Sequence, residues 1–257
     1  MSFETIHSAI SPRGVATVTL NRPERGNAFN HTMMDELDRH LAELGTRPNV
    51  RVIVLRAAGR HFSAGADVDK PATAAAAVHH AGFVDLFLTL DQVPKPMIAV
   101  VQGACVGGAA ALVACCDVVL AEDGAFFSIP EVRLGVTPVG VTPVLVRAIG
   151  QRNYRRYALS GERFQAAEAV RIGLAHELVS PAATDKRLDE VTDAFLLSAP
   201  GAVAGLKAHL REAYPEFLRD MNRAREHHAK VDTFRSPEAI EGVAAFKQKR
   251  KPSWYPG

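Results

Sequence analysis

Four short apolar runs, spaced by helical patterns and turn-rich loops, most constrain what this chain can fold into. They are VATVTL (residues 15–20), VRVIVLRA (50–57), MIAVVQG (97–103) and VVLAE (118–122). Their β-branched content and flanking turn signals read as buried strands. Between the first two, Met33, Met34, Leu37, Leu41 and Leu44 recur at helical spacing, and the pattern stops at Gly45 with Pro48 just beyond. A glycine pair opens another helix between the last two. Strand, loop, helix, strand is the rhythm of an α/β protein. From Thr142 onward the pattern turns mostly helical, and beyond Asp189 entirely so, through KRKPSWYPG at the end. The expected organisation is an α/β core over 1–195 and a helical region over 196–257. The Ala-rich stretch KPATAAAAVHHAG (70–82) reads as a helix or a loop.

The chain has 257 residues, 47% hydrophobic and 23% charged, which is an ordinary globular balance. A formal net charge of only +2 argues against nucleic acid or an anionic membrane as partner. No apolar run approaches the roughly 20 residues of a membrane span. The start, MSFETIHSAI, has neither the basic nor the apolar region of a secretory signal, so the cytoplasm is the expected compartment. Cys105, Cys115 and Cys116 lie in apolar surroundings without metal spacing and read as reduced core residues.

Three stretches hold candidate chemistry, each with a plainer reading beside it. In GRHFSAGADVDK (59–70), small residues after a strand let something approach the main chain, or simply form a loop. In QGACVGGAAALVACCD (102–117), Gly107 and Gly108 open a helix whose first N–H groups are unpaired. That suits an oxyanion, and it equally suits close helix-to-sheet packing. In GAFFSIPEVRLGV, Glu131 sits among Phe126, Phe127, Ile129, Val132 and Leu134. It either pairs with Arg133 at an exposed turn or works as an acid/base displaced by desolvation. GACVGG is no dinucleotide fingerprint. His79/His80 and His227/His228 are adjacent pairs that share no helix face, so no metal site is expected. The cluster KQKRK (247–251) is a solvated face or a phosphate contact.

In order and spacing, NRPERGNAFN, HFSAGADVDK, KPMIAVVQGACVGGAAALVACCDVVLAE, FSIPEVRLGV, GERFQAAEAVRIGLAHELV and AAFKQKRK resemble the enoyl-CoA hydratase/isomerase family, the crotonases, nearly end to end. The resemblance implies a crotonase-like spiral of repeated ββα turns with a helical C-terminal trimerisation region, the trimers often paired into hexamers. It implies an acyl-CoA thioester as substrate and no separate cofactor, coenzyme A being part of that substrate. By the match, Ala66 and Gly108 would supply two backbone N–H groups to the thioester oxygen. Arg25, Ala28 and Ala64 would line the coenzyme A arm. Phe246 and Lys249 would meet adenine and phosphates, usually from a neighbouring subunit.

The chain also departs from the family. Two-glutamate hydratases carry one carboxylate three residues after the oxyanion glycine, a position that here is Ala111. Only Glu131 remains. Where many hydratases have Gly-Gly-Thr, the chain reads TPVGVTPVLV, with Thr142 and Pro143 expected as hydroxyl N-cap and first helical residue. The stretch IPEVRLGVTPVGVTPVLVRAIG looks like branch members acting on branched glutaconyl-type thioesters. Three readings stand, in this order: a hydratase-type lyase working with Glu131 alone, a double-bond isomerase moving a proton with Glu131, and a weakly catalytic acyl-CoA-binding or scaffold protein.

Overall fold

The computed structural model describes residues 3–68, 74–231 and 235–256. Its first elements are an antiparallel hairpin, β1 (Ile6–Ile10) and β2 (Val15–Leu20), with Ile6 opposite Leu20. Helix α1 (His31–Thr46) follows, capped by the Asn30 side chain, which accepts from the Met33 N–H at 2.9 Å. Met33, Met34, Leu37, Leu41 and Leu44 are all buried, as their spacing requires. The helix runs past Gly45, the expected stop. A Cβ there would lie 3.2 Å from Pro94 Cδ, so this glycine serves the approach of helix to loop.

Next come β3 (Val52–Ala57), α2 (Ala74–Gln92), β4 (Met97–Val101), β5 (Ala104–Val106), α3 (Gly108–Ala114), β6 (Val118–Glu122) and β7 (Phe126–Ser128). Helix α2 accounts for the Ala-rich stretch from residue 74 onward; 70–73, and the Asp69–Lys70 end of the neighbouring motif, lie outside the described residues. The chain continues through α4 (Thr142–Ser160), β8 (Arg163–Gln165), α5 (Ala166–Ile172), β9 (Glu177–Val179), α6 (Thr184–Leu197), α7 (Pro200–Ala213), α8 (Glu216–Lys230) and α9 (Pro237–Lys247).

The strands form two sheets, and from β4 to β7 they go alternately to one and the other. One has the order β1-β2-β3-β4-β6-β9, parallel after the hairpin; the other is β5-β7-β8. Gly103 makes the switch from β4 to β5 at φ 57, where a Cβ would lie 2.7 Å from His61 Nδ1. The large sheet is covered on both faces, which explains the unbroken apolar runs of β3 and β4. Ile53, Leu55, Met97 and Ala99 face the main core, while Val52, Val54, Ile98 and Val100 meet Leu188 and Val191 of α6.

Two expectations are corrected. Residues 163–165 and 177–179 are strands rather than part of a helical run, because pairing with β7 and β6 fixes segments too short to carry a period. The tail beyond Lys247 is not helical: Lys249 takes φ 53, and turns lead through Pro252. No described helix is long and apolar enough to cross a membrane.

Candidate active site

Two strand pairings assemble the site. β5 runs parallel to β7 with Val106 opposite Ser128, and the Gly107 N–H donates to Ser128 O at 2.8 Å. Both strands therefore end at one level. The first continues into Gly107, Gly108 and α3, the second into Pro130 and a one-turn 3-10 helix, Glu131–Leu134. On the other flank of β5, Ser63 N donates to Ala104 O (2.9 Å) and Val106 N to Ser63 O (3.1 Å). Gly65, at φ +91, lies so close to the Val106 carbonyl that a Cβ would sit 3.0 Å from its oxygen.

These contacts bring Ala66 and Gly108 onto adjoining segments. The bridge between Phe29 and Ala66 uses Phe29 N to Gly65 O (2.8 Å) and Asp67 N to Phe29 O (2.9 Å), so the Ala66 N–H faces away from it. Neither the Ala66 nor the Gly108 N–H donates to a carbonyl among the described residues. Two donors left open on adjoining segments can hold a developing oxyanion.

The glycine pair has two separate causes. Gly107 adopts φ 58, ψ −124, a conformation other residues rarely take, and a Cβ on it would lie 2.7 Å from Glu131 Oε1. A Cβ on Gly108 would lie 2.6 Å from the Phe83 ring of α2. Close packing and an open backbone thus coexist at this turn.

Glu131 is partly accessible as a residue, but its Oε2 is buried and has no hydrogen-bond partner among the described residues. Burial pushes its carboxyl from 4.5 up to about 7, against the opposing pull of its own backbone N–H. Arg133 does not neutralise it. That guanidinium turns away, donating through Nε to Ser160 O at 2.9 Å and packing against Gly161. The exposed Glu131–Arg133 pair weighed from sequence is absent among these contacts. Ala111, one turn along α3 from Gly108, is fully buried and offers only a methyl group.

Thr142 departs from its expected capping role. It is the first residue of α4, with Val141 at the cap and no side-chain cap bond. Its hydroxyl instead donates to Pro138 O at 2.7 Å and lies 2.6 Å from Tyr154 Oη.

The positions matched to coenzyme A divide into two places. Arg25 ends a one-turn 3-10 helix (Pro23–Arg25), and it, Ala28 and Ala64 lie on adjoining segments, with Ala64 N donating to Gly26 O at 2.8 Å. Ala28 is buried and Ala64 exposed. Phe246, 62% exposed, and Lys249 lie at and just beyond the end of α9. The start of that helix packs on the Glu131 turn, where Gly135 meets Glu238 and Gly242 meets Leu134.

Sequence reasoning passed over the residues that hold these loops. Buried Asn27 accepts from Arg22 N and donates to Ala58 O and His61 O, each at 2.8 Å. Ser63 Oγ donates to Asn27 O at 2.7 Å and accepts from Gly65 N at 3.1 Å. Asp67 holds both Arg22 (3.2 Å) and Arg25 (3.6 Å). Such short polar residues in a small-residue loop are the one signal that could have found them. All three cysteines are free and buried, and burial pushes their thiols up, Cys115 to about 12. They are structural thiols. Among the described residues no three His, Cys, Asp or Glu gather as metal ligands.

Comparison with known proteins agrees with this architecture. A probable enoyl-CoA hydratase of Mycobacterium bovis is 34% identical, covering 99% of both chains. A 2,3-dehydroadipyl-CoA hydratase of Escherichia coli is 31% identical over 93% of this chain and 94% of its own. The crystal structure of an enoyl-CoA hydratase from Mycobacterium avium subsp. paratuberculosis superposes with a TM-score of 0.88 at 28% identity, covering 98% and 99%. The spiral of strand pairs and helices is therefore the crotonase fold. With the enoyl-CoA hydratase/isomerase family matching residues 11–256, this chain belongs to that family of enzymes.

Proposed function

We propose that the protein reversibly hydrates a 2-enoyl-CoA, using Glu131 as its only carboxylate. The observation that supports this most is the buried Glu131 carboxyl, raised to about 7, with its Oε2 lacking a partner among the described residues, against Gly107 and next to two open N–H donors. A group titrating near neutrality can both take and return a proton. The oxygen of water bonds to C3 while one of its hydrogens passes to ionised Glu131. The C2=C3 π electrons move onto the thioester oxygen as an enolate, held by the N–H groups of Ala66 and Gly108. Glu131 then returns that hydrogen to C2, giving the 3-hydroxyacyl thioester. Each backbone donor is worth about 100- to 1,000-fold in rate, by analogy with other oxyanion holes.

Arg25, Ala28 and Ala64 would line the pantetheine and phosphate arm, with Phe246 and Lys249 meeting adenine and phosphates in a trimer or a pair of trimers. For the acyl group we propose a branched, glutaconyl-type chain, on the likeness of residues 129–150 to that branch. Ala111 favours a second reading. An isomerase needs no water, so Glu131 alone could move a proton between the α and γ carbons.

Incubation with crotonyl-, 3-enoyl- and 3-methylglutaconyl-CoA in deuterated water, followed by mass and proton spectra, decides. Gain of one water by a 2-enoyl thioester is expected. Conversion of the 3-enoyl to the 2-enoyl form without added water would replace hydration by isomerisation.

A further inference from the structure

Helix α4 is broken at Gly150, which takes φ 72, ψ 153, outside the helical region. Along a straight helix, residues 142 and 154 would stand about 18 Å apart. The break folds the second segment back, and Tyr154 Oη reaches Thr142 Oγ1 at 2.6 Å. Tyr154 is buried, and α4 packs against both α3 and the Glu131 turn.

The direction of this bond follows by elimination. A carbonyl can only accept, so the hydroxyl hydrogen of Thr142 is committed to Pro138 O at 2.7 Å. Tyr154 must therefore be the donor toward Thr142. Its own oxygen keeps lone pairs that can accept but has no hydrogen left to give. Burial, with a smaller push from the Glu131 charge, raises the phenol to about 12, so it stays neutral at ordinary pH.

A water attacking C3 is best held with a lone pair toward carbon when each of its two hydrogens has an acceptor. Glu131 takes one. In two-carboxylate enzymes of this family a second glutamate is available, but here that position is the methyl of Ala111. We propose that Tyr154 is the second acceptor: Thr142 and Pro138 fix its hydrogen, and its free oxygen lone pair orients the reacting water, or the 3-hydroxyl in reverse, against Glu131. This rests on the hydratase reading, since an isomerase has no water to orient. Tyr154 is a positioning residue and transfers no proton. Thr142 acts only through it.

The test compares two reactions of the same site. Hydration is followed on whichever 2-enoyl thioester of the panel the wild type hydrates. Exchange of the α-hydrogens of butyryl-CoA with deuterated water needs Glu131 and the backbone donors but no attacking water. Tyr154→Phe keeps the ring and should lower kcat for hydration about 10- to 100-fold, the cost of one hydrogen bond at the reacting water, with KM and α-exchange unchanged. Thr142→Val should do the same by freeing the Tyr154 hydrogen, and Thr142→Ser should restore the rate. Equal loss of hydration and exchange in Tyr154→Phe would make the pair a packing contact and overturn the proposal. So would full hydration by that variant. Wild-type exchange without hydration of any panel member would instead remove the hydratase reading, and the water-positioning role with it.

Discussion

Replacing Glu131 by glutamine should stabilise the protein, and increasingly so as pH rises. In the unfolded chain this carboxyl loses its proton near 4.5; in the fold it keeps it until about 7. Between those values the folded state binds more protons, so stability falls as pH rises through the window. Moving the carboxyl from 4.5 to about 7 places a penalty of about 3 kcal/mol on its charged form. At pH 5 less than about 1 kcal/mol of this is expressed, and at pH 8 nearly all of it. A glutamine side chain cannot ionise, so the advantage of Glu131→Gln over the wild type should grow by about 2.5 kcal/mol between pH 5 and pH 8.

Urea unfolding at both pH values, at one protein concentration, reads this directly. For a slope of about 2 to 3 kcal/mol/M the midpoint difference should widen by about 1 M. A constant offset from the loss of one side-chain oxygen appears equally at both pH values and cancels. A midpoint difference that stays flat between pH 5 and pH 8 would refute the reasoning, because the carboxyl would then titrate alike in both states. The same variant should lose about 100- to 10,000-fold in turnover, the usual range for a general acid/base.

Further outcomes follow from individual contacts. In the wild type, kcat/KM for hydration should rise with pH and level off above about 7, as Glu131 ionises to accept the water's proton; a profile flat from pH 5 to 8 contradicts that role. Gly108→Ala puts a Cβ 2.6 Å from the Phe83 ring, so it should destabilise the protein by about 1 to 3 kcal/mol, and adding Phe83→Ala should recover part of that loss in the thermal midpoint. Lys249→Ala should raise KM for the whole thioester while leaving kcat nearly unchanged; a loss confined to kcat would contradict a carrier contact.

Much of the fold was legible because the chain repeats simple periods. The α1 stripe from Met33 to Leu44 and the runs of β2, β3, β4 and β6 needed only helical spacing or continuous apolarity, and burial follows both patterns. Strands β8 and β9, three residues each, carry no period and are set by their partners, so they read as helix in isolation. Glu131 was legible only in part, for a similar reason. Its apolar neighbours marked it for displacement, but whether Arg133 would neutralise it depended on Ser160, 27 positions on, which captures that guanidinium.

The positions hardest to read are those whose role depends on a break in the backbone. Thr142 carries every local mark of a helix cap, hydroxyl first and proline next, yet its hydroxyl is turned to Pro138 and Tyr154. Nothing in a twelve-residue separation suggests contact, because a regular helix forbids it. Gly150 alone changes that geometry, and a lone glycine in a helical pattern reads first as a small local loss of stability. Here the unfavourable residue lets a threonine that reads as a cap and a tyrosine with no local signal meet on a helix that packs against the Glu131 turn. Gly150→Ala should therefore do more than its size implies. An alanine at φ 72, ψ 153 is strained by about 1 to 3 kcal/mol, and relief of that strain by straightening α4 would pull Tyr154 from Thr142. Loss of hydration beyond the loss of α-exchange would follow from that separation, whereas a variant that is merely less stable would lose both alike.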